Sequence, residues 1–240
     1  MIERGLRLDD EIIPGTDWIL RDPEAWWGPG ERGTRPRAAF RTMLCGHWTA
    51  GEATKRWLTD DGRHVVRAMK ARKRPDGTKM KVAIDFVIGA CEPDAEYASI
   101  WQTADPALTA CVHVGRGQVN ARAIGVEVVN AGLPGRADVR RRDRLTRTVH
   151  GEELEQLAFY PGQLRTWVRL AETLASLQGR HGISIARRVP AELGEPMKLR
   201  ELREFSGAIE HLQVPPHRKV DAGTQLLEAL VEAGWSSPAG

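Results

Sequence analysis

The chain has 240 residues, 41% of them hydrophobic and 28% charged, which suits a soluble globular protein of one large domain or two small ones. Its net charge of +3 and pI near 8.9 fit an anionic partner but are too weak a surplus to argue for nucleic-acid binding. No apolar run is long enough to cross a membrane, the N-terminus lacks an apolar signal core, and three cysteines fit neither a disulfide framework nor a paired-Cys metal motif. Cys45, Cys91 and Cys111 therefore read as buried, reduced thiols.

Residues 1–40 read as an irregular N-terminal arm. Pro14, Gly15, Pro23, Gly28, Pro29, Gly30, Gly33 and Pro36 forbid long regular elements, and Trp18, Trp26 and Trp27 are placed to pin the arm onto the domain. Residues 42–47 read as a short buried strand that ends at His47-Trp-Thr-Ala-Gly51. A lone histidine at a strand's C-terminal end is either a packed residue or a ligand, since sites in α/β sheets collect at such ends. Residues 52–73 have helical spacing, broken near Gly62, with Arg67, Lys70, Arg72, Lys73 and Arg74 as a solvated basic face.

Residues 81–88 alternate, with Val82, Ile84, Phe86 and Ile88 on one face and Ala83, Asp85 and Val87 on the other. A second strand over 97–102 would complete a hairpin. His113 follows in Val-His-Val-Gly-Arg-Gly, where two glycines suggest a close backbone approach but give a weak signal. Residues 123–130 read as a buried strand with Glu127 in its middle. A carboxylate there is either an edge-strand residue facing water or a functional group that must be paired or neutralised.

Residues 133–158 read as a charged, solvated connection. Residues 161–178 are the clearest helix: Pro161 suits the first turn, Leu164, Trp167, Val168, Ala171, Leu174 and Ala175 form a stripe, and Gly179 stops it. The segment 211–223 carries an imidazole at His211, an ammonium at Lys219 and a carboxylate at Asp221, with Pro215 and Pro216 denying it a helix. A nitrogen donor and an oxygen donor on one stiff loop suit a borderline metal such as zinc, given a third ligand from elsewhere. His217 is a competing donor on the same loop, read as supporting or exposed. A last helix is expected from about residue 224 to 233, with Leu226, Leu227, Leu230 and Val231 inward. Strands alternating with helices imply an α/β fold with a central mixed sheet flanked by helices.

The ordered set His47-Trp-Thr-Ala-Gly, Ile124-Gly-Val-Glu127 and His211…Lys219-Val-Asp221-Ala-Gly resembles the type 2 N-acetylmuramoyl-L-alanine amidases. That family includes phage lysins, cytosolic wall-recycling amidases and peptidoglycan recognition proteins. The resemblance runs from about residue 40 to residue 235. It implies a single catalytic domain over 41–240, carrying the charged insert at about 133–158. It also implies Zn2+ held by His47, His211 and Asp221, Glu127 as acid–base residue and Lys219 as oxyanion stabiliser. His113, Trp48 and Asn120 would be substrate contacts.

Two departures stand out: Ile84-Asp85-Phe86 replaces a Tyr found in several members, and the third ligand is Asp221 where many relatives have Cys. The substrate implied is peptidoglycan or a muropeptide, and the protein is expected to be a monomer with no nucleic-acid partner and no integral membrane segment. The expected activity is that of a phage or prophage endolysin, made in the cytoplasm without a signal peptide and acting on the wall after release. The alternatives are a cytoplasmic recycling enzyme and a non-catalytic peptidoglycan-binding module. A metal-dependent hydrolase of another amide is a weaker third reading.

Overall fold

The computed structural model describes residues 1–31, 33–35, 37–49, 60–71, 77, 83–114, 116–130, 143–215 and 219–237. The elements that build the site are the strands β1 (Glu3–Arg4), β2 (Ile19–Arg21) and β3 (Met43–Trp48), helix α1 (Asp60–Ala71), β4 (Phe86–Ile88), β5 (Ile100–Gln102), helix α2 (Gly117–Arg122) and β6 (Ala123–Val128). They are followed by α3 (Pro161–Ala175), α4 (Leu199–Glu204), β7 (Gly207–Glu210) and α5 (Gln225–Glu232). The strands form one mixed seven-stranded sheet in the order β1-β2-β5-β4-β6-β3-β7. β4, β6, β3 and β7 run parallel, while β5 lies antiparallel to β4 as the expected hairpin. The α/β architecture read from the sequence is the one observed.

Alternation along the parallel strands divides the core. Leu44 and Trp48 of β3, Ile124, Val126 and Val128 of β6 and Ala208 of β7 face Trp167, Leu170, Ala171 and Leu174 of α3 and Leu226, Leu227 and Leu230 of α5. Gly46 sits under that layer because a Cβ there would lie 2.6 Å from Leu226 Cδ1. On the opposite face, Met43, Cys45, Ala123 and Ile209 pack against Val114, Val119 of α2 and Leu202 of α4. The three cysteines are free and buried.

Several local readings are corrected. The first 40 residues hold no long element, yet β1 and β2 extend the central sheet, and Trp27 and Ala25 join a core cluster with Val65 and Val66 of α1. Arg63 and Arg67 of α1 both donate to the buried Asp22 carboxylate, at 2.6 and 3.0 Å, so α1's basic face is a clamp on the arm. Arg72, Lys73 and Arg74 lie outside the described residues. β4 begins at Phe86, and Ile84 packs with Val87 instead of with Phe86 and Ile88. Within the charged connection, Arg144–Val149 and Glu152–Leu157 pair as an antiparallel hairpin. Val231 of α5 is exposed. Among the described residues no helix is long and apolar enough to cross a membrane.

Glu210, the last residue of β7, is fully buried, and its Oε1 accepts from the amides of Leu226 and Leu227 at 3.1 and 3.4 Å. It thereby satisfies first-turn donors of α5 that have no partner within the helix. Glu210→Ala leaves those amides buried and unpaired and is expected to cost about 1–3 kcal/mol in urea unfolding. Glu210→Gln keeps the acceptor and should lose clearly less. Equal losses for the two variants would contradict the capping role.

Candidate functional site

The site forms where parallel strands end. β3 lies between β6 and β7, and its register pairs Glu127 with His47 and Glu210 with Gly46. Registered neighbours in a parallel sheet share a face, so His47 and Glu127 project together, beyond Cys45 and Gly125. β6 is an interior strand, which removes the edge-strand reading of Glu127; its side chain is half-buried beside His47. β7 then delivers His211 into a short 3-10 turn, His211–Gln213. The chain returns ten residues later, and the Leu212 amide donates to the Asp221 carbonyl at 3.0 Å, closing the loop. Arg116 Nε holds the outer part of the loop through the Pro215 carbonyl, 2.8 Å away.

This closure brings three donors together. Asp221 Oδ2 lies 3.5 Å from His47 Nδ1, and Oδ1 lies 3.2 Å from His211 Nδ1. The His47 and His211 rings meet edge to face with centroids 4.8 Å apart. His211 Nδ1 and Asp221 Oδ1 are buried and, though 3.2 Å apart, make no well-formed hydrogen bond to each other or to any other described residue. Buried polar atoms are costly unless paired, and a cation shared between them would satisfy both. Two imidazoles and one carboxylate suit zinc and leave a fourth position open.

Burial pushes the His47 imidazole below its ordinary pKa, with His211 and Lys219 adding to the shift against the opposing pull of Asp221. A neutral ring is what a metal ligand must be. Burial also acts to raise the Asp221 carboxyl, but His211 and His47 outweigh it and hold the group well below the carboxylate range. A second donor group, Cys45, His47 and His113, shares His47 through its other nitrogen. Burial first, then the carboxylates of Asp221, Glu210 and Glu127, push the Cys45 thiol far up.

The remaining expected site residues are placed as follows. Lys219 is exposed at the loop, and its carbonyl accepts from His150 Nε2 at 2.7 Å. His113 directs Nδ1 at His47. Trp48 turns to the opposite face and packs in the α3 core. Asn120 is buried, with Oδ1 accepting from the amides of His113 and Val114 and Nδ2 donating to the carbonyls of Val114 and Arg116. Both side chains are spent inside the fold. Asp85 is fully buried, accepts from the Gly125 amide at 2.8 Å and faces Arg41 at 3.4 Å. His217 lies outside the described residues.

Sequence reading missed the hairpin that supports the loop. Arg147 pairs with Glu228 of α5 at 2.8 Å, and the fully buried Gln156 packs against Gly223. The alternation of Leu145 and Val149 with polar residues, and the His150-Gly151 turn, were the signals available.

A family model described as Amidase_2, N-acetylmuramoyl-L-alanine amidase, matches residues 39–232. No curated protein matches the sequence. Among solved structures, the chain is similar to the N-acetylmuramyl-L-alanine amidase AmiD from E. coli, in complex with anhydro-N-acetylmuramic acid-L-Ala-D-gamma-Glu-L-Lys, with 17% identity, a TM-score of 0.48, and 84% of this chain and 60% of that one covered. It is similar to AmpDH3 from Pseudomonas aeruginosa with 16% identity, a TM-score of 0.49, and coverage of 87% and 65%. It is also similar to the N-acetylmuramoyl-L-alanine amidase LysC from Clostridium intestinale URNW with 14% identity, a TM-score of 0.41, and coverage of 87% and 97%. The chain thus spans about 60% of AmiD's length.

The loop's tightest point is Gly223, which follows the Asp221-Ala222 pair with φ +78°, and a Cβ there would lie 2.1 Å from Gln156 Oε1. Gly223→Ala adds left-handed strain and a clash with the hairpin. It is expected to cost about 1–3 kcal/mol in urea unfolding, and a loss below about 0.5 kcal/mol would show that the hairpin does not brace the loop.

Proposed function

This chain belongs to the N-acetylmuramoyl-L-alanine amidase family, type 2, matched over residues 39–232, and on that premise we propose that it is a zinc-dependent hydrolase of peptidoglycan. The bond cut is the amide between the lactyl group of N-acetylmuramic acid and L-alanine. The observation that supports the zinc reading is the convergence of His47, His211 and Asp221, whose donor atoms all lie within 4.8 Å of one another.

His47, His211 and Asp221 would hold a zinc ion, which would supply Lewis acidity and a water whose pKa falls toward about 7. The rest is done by side chains. Glu127, in register with His47, takes a proton from the attacking water and passes it to the departing amine of L-alanine. Lys219 sets a positive charge against the negative charge that develops on the scissile carbonyl oxygen. Asp221 and the buried His47 stay in their metal-ready charge states at neutral pH.

We further propose that the natural substrate is wall-bound peptidoglycan, as for a phage or prophage endolysin acting after release. The support is the basic balance, +3, which suits the anionic polymers of a wall. Release of stem peptide should be measured on intact sacculi and on soluble anhydromuropeptide. Faster turnover of sacculi is expected, and a preference for the soluble fragment would point to a recycling enzyme.

The same assay tests the division of labour. Glu127→Gln should keep zinc and fold while losing about 10²–10⁴-fold in kcat, the usual contribution of a positioned acid–base group. Lys219→Met should lower kcat far more than it weakens muropeptide binding, because oxyanion charge exists only in the transition state. If wild type binds muropeptide but releases no stem peptide, the protein is a binding module and the hydrolase reading is wrong.

A further inference from the structure

We propose that His113 is the positioning residue of this site: its Nδ1 accepts a hydrogen bond from His47 Nε2–H, fixing the tautomer and ring orientation that leave His47 Nδ1 free to bind a metal. The proposal deepens the metal-centre reading given above and rests on it. His113 itself touches neither Asp221 nor His211 in the hydrogen-bond network, so its influence on the centre passes through His47.

The argument runs from the far end of the chain of contacts. His113 Nε2 lies 3.4 Å from the Ala123 carbonyl, which can only accept. The proton of a neutral His113 ring therefore belongs on Nε2, and Nδ1 is left with a lone pair. That Nδ1 stands 2.9 Å from His47 Nε2, a normal hydrogen-bond distance, with the rings perpendicular at 88°. His47 Nε2 must then carry the ring's single proton. Its Nδ1 keeps the lone pair, and this is the atom 3.5 Å from Asp221 Oδ2. This assignment satisfies the contacts of His113 with Ala123 and with His47, and it leaves the His47 Nδ1 lone pair facing Asp221 Oδ2, a contact that a cation held between the two completes. A ligating histidine commonly has its second nitrogen held in this way, usually by a carboxylate or carbonyl; here an imidazole does it.

The fold is built around His113. Asn120 Oδ1 grips the backbone amides of His113 and Val114 at 2.9 Å each, so the residue cannot swing. β6 offers a glycine where the ring lies: a Cβ on Gly125 would come within 2.7 Å of both Cγ and Cδ2 of His113. The Ala123 carbonyl is itself held in place by the buried Arg41 guanidinium. Cys45 Sγ, 3.5 Å from His47 Nε2, faces a nitrogen already engaged as a donor. The Cys45, His47 and His113 trio is therefore a hydrogen-bonded support and not a second metal site.

The test reads the tautomer directly. Metal-free protein labelled with 15N-histidine is examined by long-range 1H–15N correlation, with the His47 signals identified by their loss in His47→Gln. The proton of His47 should reside on Nε2 in wild type. It should be distributed over both nitrogens in His113→Phe and return to Nε2 in His113→Asn, whose amide oxygen stands near the position of Nδ1.

Zinc affinity, measured by chelator competition on the same preparations, should fall about 10–100-fold in His113→Phe and recover to within a few-fold of wild type in His113→Asn. Thermal unfolding of both variants shows whether the fold is kept. A His47 proton on Nδ1 in metal-free wild type, or zinc bound through His47 Nε2, would overturn the proposal. So would a folded His113→Phe variant that binds zinc within twofold of wild type. Because the tautomer readout needs no metal, a wild type that binds no zinc while keeping the proton on Nε2 upholds the positioning role and overturns only the metal centre.

Discussion

Everything at this site depends on the parallel register of β3 between β6 and β7. That register sets His47 beside Glu127 and ends β7 one residue before His211. A shift of one residue would turn His47 into the α3 core and bring Trp48 to the cleft, because strand side chains alternate with a period of two. The register is enforced by packing. Gly46 accepts Leu226 and Trp167 overhead, and Gly125 accepts the His113 ring on the other face. Neither position tolerates its neighbour's side chain, so the two faces lock the strands against slipping.

The second constraint is polar and buried. Arg41 and Asp85 are both fully enclosed, and they tie the start of β6 to the segment before β4 through the Ala123 carbonyl and the Gly125 amide. Burial raises the Asp85 carboxyl, and Arg41 and the Gly125 amide oppose that rise. Buried ion pairs of this kind contribute little net stability against an apolar replacement, but losing one partner is costly, so they fix geometry more than they add free energy. Asn120 and Glu210 work in the same way, one closing the His113 loop and the other fastening α5 to the end of β7. The donor triad is thus held by a shell of committed hydrogen bonds, as a preorganised centre requires.

Much of this was legible in the residues because apolar periodicity carried it. The stripe from Leu164 to Ala175 gave α3 nearly to its end, and the runs around Leu44 and Val126 gave the two central strands. His211 and Asp221 were legible as two donors on one stiff loop and His47 as a strand-end candidate, but only the family resemblance joined the three, since His47 and Asp221 meet only when the sheet and the closing loop are in place. β1 and β2 were hidden because they have two and three residues, too few for alternation to show. The hairpin over 144–157 was hidden because both of its strands are mostly polar, and a charged strand in water resembles a loop. The clamp of Arg63 and Arg67 on Asp22 spans more than 40 residues of sequence, a separation at which no local pattern speaks. His113 was legible as a functional candidate, but its partner was not: only the fold reveals that it addresses His47.

The central claim is that the closing loop and β3 build one nitrogen- and oxygen-ligated metal centre from His47, His211 and Asp221. X-ray absorption at the zinc edge on the zinc-loaded protein tests it most directly, since the method reads ligand type and distance around the bound ion. The account requires nitrogen and oxygen scatterers at about 2.0–2.2 Å, with the multiple-scattering pattern of two imidazoles and no sulfur. A sulfur scatterer at about 2.3 Å would place the ion with Cys45 and contradict it.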